Sequence, residues 1–185
     1  MPSAAPHRVR IIGGRWRRRL VHFPASADLR PTPDRVRETL FNWLGQDLFE
    51  LRCLDLYAGS GVLSLEALSR GAGLAVAVDR NRRLIAALEE TGRALGAQGL
   101  ETHCREARTF LAAERRSFDV IFLDPPFADD PWDWLLPACA ERLAPGGYIY
   151  AEAPRPLVPP PPLVAWRSDK AGLVHYHLFA MGSEP

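Results

Sequence analysis

Leu51-Arg52-Cys53-Leu54-Asp55-Leu56-Tyr57-Ala58-Gly59-Ser60-Gly61 is the stretch whose reading decides the fold of this chain. An apolar run that ends on an acid, breaks at two glycines and leads into the helical pattern Ser60 to Arg70 reads as strand, sharp turn and helix. The alternation repeats downstream. Strands are expected at Leu51 to Tyr57, Leu74 to Val78, Leu100 to Arg105 and Asp119 to Leu123, with helices at Asn81 to Leu95 and Ala107 to Arg115. Another helix begins near Pro131 and ends before Pro145-Gly146-Gly147, ahead of strands at Tyr148 to Glu152 and Leu173 to Ala180. Nearly continuous apolar strands alternating with helices specify an α/β fold whose parallel sheet is covered on both faces. Pro154 to Pro162 is too proline-rich for a central strand and reads as a stiff connection to the final one.

With 185 residues the chain fits one such domain and a small extension. Its 47% hydrophobic and 24% charged residues are those of an ordinary globular enzyme and name no function. No apolar run approaches the roughly 20 residues of a membrane span. The start Met1-Pro2-Ser3-Ala4 lacks the basic-then-apolar order of a secretory signal, so a cytoplasmic protein is expected. Cys53, Cys104 and Cys139 form no C-x-x-C pair, so neither disulfide nor metal is expected, and Cys53 and Cys104, inside apolar strand runs, read as buried small hydrophobes. The five histidines lie away from the motifs and read as surface or strand residues.

The net charge of +1 conceals a division. Residues 1 to 38 carry nine arginines against Asp28, Asp34 and Glu38, an excess of six positive charges over a remainder that is net negative by five. Such clustering points to a polyanionic partner. Val9-Arg10-Ile11-Ile12 and Trp16 to Phe23, around Gly13-Gly14, read as a β-hairpin with an Arg-rich outer face. Thr32 and Pro33 read as N-cap and first residue of a helix whose apolar stripe is Val36, Leu40, Trp43 and Leu44, leaving Arg35 and Arg37 free to face elsewhere. Arg10, Arg15, Arg17, Arg18, Arg30, Arg35 and Arg37 are the candidate nucleic-acid contacts.

The glycine turn selects among nucleotide cofactors. A dinucleotide fingerprint would need a third glycine where Ser64 stands, and no phosphate-cradling G-K-[ST] is present. Asp55 places a carboxylate where a diphosphate would sit, which repels a dinucleotide and suits a cationic amino-acid moiety such as that of S-adenosylmethionine. Asp79, ending the next strand, is placed for ribose hydroxyls. Glu106-Ala107 could meet an adenine amino group, or Glu106 could be a first-turn acid favoured by the helix dipole. The candidate cofactor set is therefore Asp55, Tyr57, Ala58, Gly59, Ser60 and Gly61 of the turn, with Asp79 and Arg80, and Glu106 and Ala107.

Asp124-Pro125-Pro126-Phe127 closes the apolar run Val120 to Leu123. An exocyclic ring amine is a poor nucleophile until its two hydrogens are held, and a carboxylate with the Pro125 carbonyl can hold them. The prolines add stiffness and no competing N–H, and Phe127 offers a stacking face. These four residues are the candidate catalytic set, expected to methylate a planar amine without a strong general base.

With these residues in view, the chain resembles the bacterial small-subunit ribosomal RNA guanine-N2 methyltransferase family, RsmD. The resemblance rests on Arg10-Ile11-Ile12-Gly13-Gly14 with Trp16, Leu29-Arg30-Pro31-Thr32, Asp34 to Leu44, the Asp55 to Gly61 turn and Asp124 to Phe127. It implies a Rossmann-like class I methyltransferase fold, with a mostly parallel seven-stranded sheet between helices and a small N-terminal β-hairpin and helix. Residues 1–50 would be the basic RNA-facing extension and 51–185 the S-adenosylmethionine-dependent domain. The implied activity is methylation of guanine 966 of 16S rRNA on N2 during small-subunit assembly, by a monomer without metal or membrane attachment. Arg18 stands where the family usually has glycine, and Glu106 where it usually has aspartate. An adenine-N6 or cytosine-N4 DNA amino-methyltransferase would use the same tetrad, and a silent RNA-binding protein could use the same fold.

Overall fold

The computed structural model describes residues 7–25 and 31–182. Two short strands, β1 (His7–Arg10) and β2 (Leu20–Phe23), pair antiparallel, and their connection holds a 3-10 turn, Gly14–Trp16. Helix α1 (Asp34–Leu44) follows. The α/β succession is then β3 (Arg52–Asp55), α2 (Val62–Ser69), β4 (Leu74–Asp79), α3 (Arg82–Leu95), β5 (Leu100–Cys104), α4 (Ala107–Ala113), β6 (Phe118–Leu123) and α5 (Trp132–Ala140). Three strands close it: β7 (Leu143–Ala153), β8 (Leu163–Ala171) and β9 (Val174–Met181).

The main sheet has seven strands in the order β5-β4-β3-β6-β7-β9-β8. The first five are parallel, and β9 runs antiparallel to both neighbours. Successive strand side chains point to opposite faces. Cys53, Ala75, Ala77, Val120, Phe122 and Tyr150 join one cluster with α1, α2, α3 and the hairpin, while Leu54, Val76, Val78, Ile121 and Leu123 join a second with α4 and α5. Each fully buried Leu or Phe in these layers stabilises the fold by roughly 1.5–3 kcal/mol. Strand order turns back between β3 and β6, so the loops after them diverge and leave a crevice at their carboxyl ends.

Several local expectations change. Thr32 does not cap α1; Pro33 holds the cap position without a side-chain bond, and the Thr32 hydroxyl donates to Glu152 at 2.7 Å. Phe41, outside the expected stripe, is completely buried. Pro145-Gly146-Gly147 lies within β7 as a bulge, where partners of Phe118 and Val120 jump from Leu143 to Tyr148. Strand β8 had no sequence signal, because only Leu163 of its first eight residues is buried and it forms the sheet edge. Its Arg167 and Lys170 are charges of the kind that discourage further pairing at an edge. Cys104 is exposed on edge strand β5, while Cys53 and Cys139 are buried. Among the described residues, no helix is long and apolar enough to cross a membrane.

Arg18 adopts φ 72°, and its N–H donates to the Ile11 carbonyl at 2.8 Å. The left-handed region costs a side chain with a Cβ about 1–2 kcal/mol, so the hairpin asks for glycine at the position where this chain has arginine.

Candidate active site

Asp55 ends β3 at the switch point, and the turn after it is tied to neighbouring strands. Leu56 N–H donates to the Phe122 carbonyl at 3.2 Å and Ala58 N–H to that of Val78 at 3.0 Å. Gly59 N–H donates to Asp79 Oδ2 at 2.9 Å, and Asn81 N–H to Asp79 Oδ1 at 2.7 Å. The Asp79 carboxylate is thereby aimed from two sides, and each oxygen keeps a lone pair for a further donor. Ser60 Oγ accepts from Val62 N–H at 3.3 Å at the start of α2. Gly61 has φ +75°, and a Cβ there would lie 2.3 Å from the Leu88 side chain, so this glycine serves the packing of α3 against the turn.

Ser64, the residue in place of the third fingerprint glycine, donates through its hydroxyl to Asp55 Oδ2 at 2.9 Å. Burial nevertheless pushes the Asp55 carboxyl up to about 7; the Ser64 bond opposes that rise and nearby Asp79 adds to it. A cationic group bound against it would favour its ionised form. Tyr57 is half-buried and Ala58 buried beside it. Arg80 and Glu106 lie farther out as an exposed pair 4.0 Å apart. Glu106 occupies the N-cap position of α4 without a side-chain cap bond, and Ala107 is buried behind it.

Asp124 follows β6 immediately. Pro125 is buried, Pro126 half-buried, and the Phe127 ring is 43% exposed at the mouth of the site. Asp129 N–H closes the loop onto the Pro126 carbonyl at 2.9 Å, and among the described residues nothing donates to the Pro125 carbonyl or the Asp124 carboxylate. Asp124 is half-buried at the end of β6. Burial pushes its carboxyl well above the ordinary range, and Glu152 and Asp55 push it further.

Glu152, near the end of β7, was missed by the sequence reading. The signal was available: it is an acid closing an apolar strand, as Asp55 and Asp124 are. Its Oε1 accepts from the Thr32 hydroxyl at 2.7 Å and the Tyr150 hydroxyl at 2.9 Å. Burial raises its carboxyl, against those two bonds. Phe122 and Tyr150 belong to the hairpin-side layer, so by alternation Asp124 and Glu152 point to that side, as does Asp55 two residues after Cys53. Three carboxylates thus stand on one face at the ends of adjacent strands β3, β6 and β7. Among the described residues none of the three forms a salt bridge.

The basic extension divides. Arg8, Arg10, Arg15, Arg17, Arg18, Arg19 and Arg35 are exposed, with Arg15 stacked 4.2 Å over the Trp16 ring and Arg10 paired to Asp34 at 3.0 Å. Arg8 and Arg19 extend the expected set, and Arg30 lies outside the described residues. Arg37 has to be withdrawn from that set. It is completely buried, donating to the Thr32 carbonyl at 3.1 Å and the Arg10 carbonyl at 2.8 Å, pairing with Asp34, and lying 3.7 Å from Glu66. It sits four residues before Phe41, on the stripe facing the core, where Glu66 of α2 supplies the charge that makes burial tolerable. Glu66 also accepts from Ile12 N–H at 2.6 Å and Gly13 N–H at 3.0 Å. Ser69 Oγ accepts from Trp16 N–H at 2.9 Å and donates to the Gly13 carbonyl at 2.6 Å. The hairpin is thereby clamped to α2, the helix that starts at the glycine turn.

A model of the family described as conserved hypothetical protein 95 matches residues 9–180. A Haemophilus influenzae protein named ribosomal RNA small subunit methyltransferase D is 36% identical over 92% of this chain and 93% of that protein. The Escherichia coli K12 protein of the same name is 45% identical over 64% of this chain, a match that spans 60% of the relative's length. Among solved structures, the candidate methyltransferase yhhF of Escherichia coli superposes with a TM-score of 0.87 at 34% identity, covering 96% of this chain and 100% of that one.

Proposed function

Since the chain belongs to the family described as conserved hypothetical protein 95, the RsmD family, we propose that it transfers a methyl group from S-adenosylmethionine to the N2 amine of a guanine in small-subunit ribosomal RNA. The observation that carries this reading is the placing of Asp124-Pro125-Pro126-Phe127 beside Asp55 at the strand-order reversal, with arginines exposed along the adjoining hairpin. The substrate would be 16S rRNA in an assembling small subunit, met in the cytoplasm by a monomer that needs neither metal nor membrane.

In this reading Asp55 takes the ammonium, Asp79 the ribose hydroxyls and Glu106 the adenine amino group. When bound, the cofactor supplies an electrophilic methyl on a sulfonium. Asp124 and the Pro125 carbonyl accept the two amine hydrogens, which turns the nitrogen lone pair toward that methyl. Transfer would exchange the sulfur–carbon bond for a nitrogen–carbon bond. The nitrogen becomes acidic as charge develops, and its proton passes to Asp124 or to water. Phe127 stacks on the base, an interaction worth about 1–3 kcal/mol. Exposed Arg10, Arg15, Arg17, Arg18 and Arg35 hold phosphates, so binding should weaken as salt rises.

The test is mass mapping of small-subunit RNA from cells lacking the gene. Loss of one N2-methylguanine supports the reading. Loss of an N6-methyladenine, from RNA or DNA, replaces it with the adenine alternative, and an unchanged modification map leaves a silent binding protein.

A further inference from the structure

We propose that Glu152 selects the target base: its carboxylate accepts the guanine ring N1–H while Asp124 accepts from the neighbouring N2 amine. The inference deepens the reading of this site as a guanine-N2 methyltransferase and rests on it. Leu123 of β6 lies opposite Ala151 of β7, so the next residues, Asp124 and Glu152, leave parallel neighbouring strands side by side. Strand spacing of about 4.8 Å brings two carboxylates onto the same side of the sheet within reach of one base edge.

The two carboxyl groups are unequally served. Glu152 is only 4% exposed, and both hydrogen bonds it receives end on Oε1, one from Thr32 and one from Tyr150. Among the described residues, Oε2 receives none, and neither does the Asp124 carboxylate. Asp124 is half-buried, and among the described residues Arg70 Nε is the one buried side-chain N or O atom without a partner, so the open oxygens of Asp124 and Glu152 are accessible to a ligand from the crevice. The Tyr150 phenol, itself raised by burial, remains a hydrogen donor, so the bonds on Oε1 favour Glu152 as an acceptor. This pair of acceptors calls for a ligand edge with adjacent donors.

Guanine presents that edge, because its ring N1–H stands beside the N2 amine. Adenine and cytosine present an amine beside an unprotonated ring nitrogen, whose lone pair would face Glu152. An acceptor set against an acceptor leaves both unpaired, and sites built to bond a ring hydrogen reject analogues that lack it. Asp124 alone grips any exocyclic amine; with Glu152 beside it the site reads the ring position too.

The test compares methyl transfer by the full chain to small-subunit RNA bearing guanine or 2-aminopurine at the target position. 2-Aminopurine keeps the reacting amine but has an acceptor at N1. Wild type should prefer guanine in kcat/KM by at least about tenfold. Glu152→Gln should slow guanine and shrink the preference at least about threefold, since its amide can donate to the ring nitrogen. Loss of the guanine O6 contact is common to both enzymes and cancels in that ratio of ratios. Thr32→Val, which removes one donor to Oε1, should shrink the preference partly and serves if Glu152→Gln does not fold. An unchanged preference in the folded variants overturns the role of Glu152 while leaving guanine methylation standing. Failure of wild type to methylate guanine on any small-subunit RNA overturns the underlying reading as well.

Discussion

Replacing Arg37 with methionine separates a buried structural cation from a surface RNA contact. The guanidinium is fully buried, and its loss removes the donors to the Thr32 and Arg10 carbonyls and the cation 3.7 Å from buried Glu66. Burial lowers the Arg37 pKa and raises that of Glu66, and each charge offsets part of the other's desolvation cost. Breaking such a pair from one side costs about 3–5 kcal/mol. The Asp34 contact adds little, because that carboxylate is substantially solvated. A chain of this length loses about 2–4 °C of melting temperature per kcal/mol, which gives a fall of roughly 6–20 °C. Arg35→Met, one residue into the exposed face, is the control and should stay within about 0.5 kcal/mol of wild type. Adding Glu66→Gln to Arg37→Met should recover part of the loss, because an amide oxygen still accepts from Ile12 and Gly13 without an unpaired charge. Thermal denaturation followed by circular dichroism, with RNA binding measured in parallel, reads both quantities. A shift under about 2 °C together with weakened RNA binding would refute the reasoning and return Arg37 to the RNA surface.

Asp124→Ala should leave cofactor binding within about threefold while turnover drops by about a hundredfold or more, because the lost contacts orient only the reacting amine; near-normal turnover in single-turnover kinetics would rule that mechanism out. Asp55 has a raised pKa of about 7 in the folded protein, so its contribution to stability is complete below the ordinary carboxylate range and is lost as pH rises through about 7. The cationic cofactor instead favours the ionised form, so affinity measured by calorimetry should fall as pH drops below about 7, approaching tenfold per unit. A flat profile between pH 8 and about 5.5 would contradict that, and Asp55→Asn should bind weakly at every pH. Arg18→Gly should raise stability by about 0.5–1 kcal/mol, the left-handed strain less the added chain entropy of glycine; denaturant melts showing a loss would mean that the arginine side chain contributes more than its backbone costs.

The departure at Arg18 shows what a single position can and cannot reveal. Its difference from the family pattern was visible in the chain, but the reason, a positive φ with an N–H bonded back to Ile11, exists only once the hairpin closes. Glu106 is the opposite case. The structure gives its substitution only an exposed neighbour, Arg80, and offers no structural reason for glutamate over aspartate.

The strand and helix alternation, the turn after Asp55 and the tetrad after β6 are legible in the chain alone, because continuous apolar runs, glycine breaks and strand-ending acids are local signals. The sequence did not reveal β8, whose residues face solvent along the sheet edge and so lack alternation. Nor could it decide which arginines face outward, since Arg35 and Arg37 differ through contacts that Arg37 makes with Arg10 and Glu66, residues 27 and 29 positions away. The carboxylate row was likewise settled by tertiary structure. Asp55, Asp124 and Glu152 end separate strands, Thr32 reaches Glu152 across 120 residues, and only the strand order β3-β6-β7 makes them neighbours. Local pattern fixes what each segment is, whereas desolvation and hydrogen-bond pairing between distant segments decide which of its polar groups become a site.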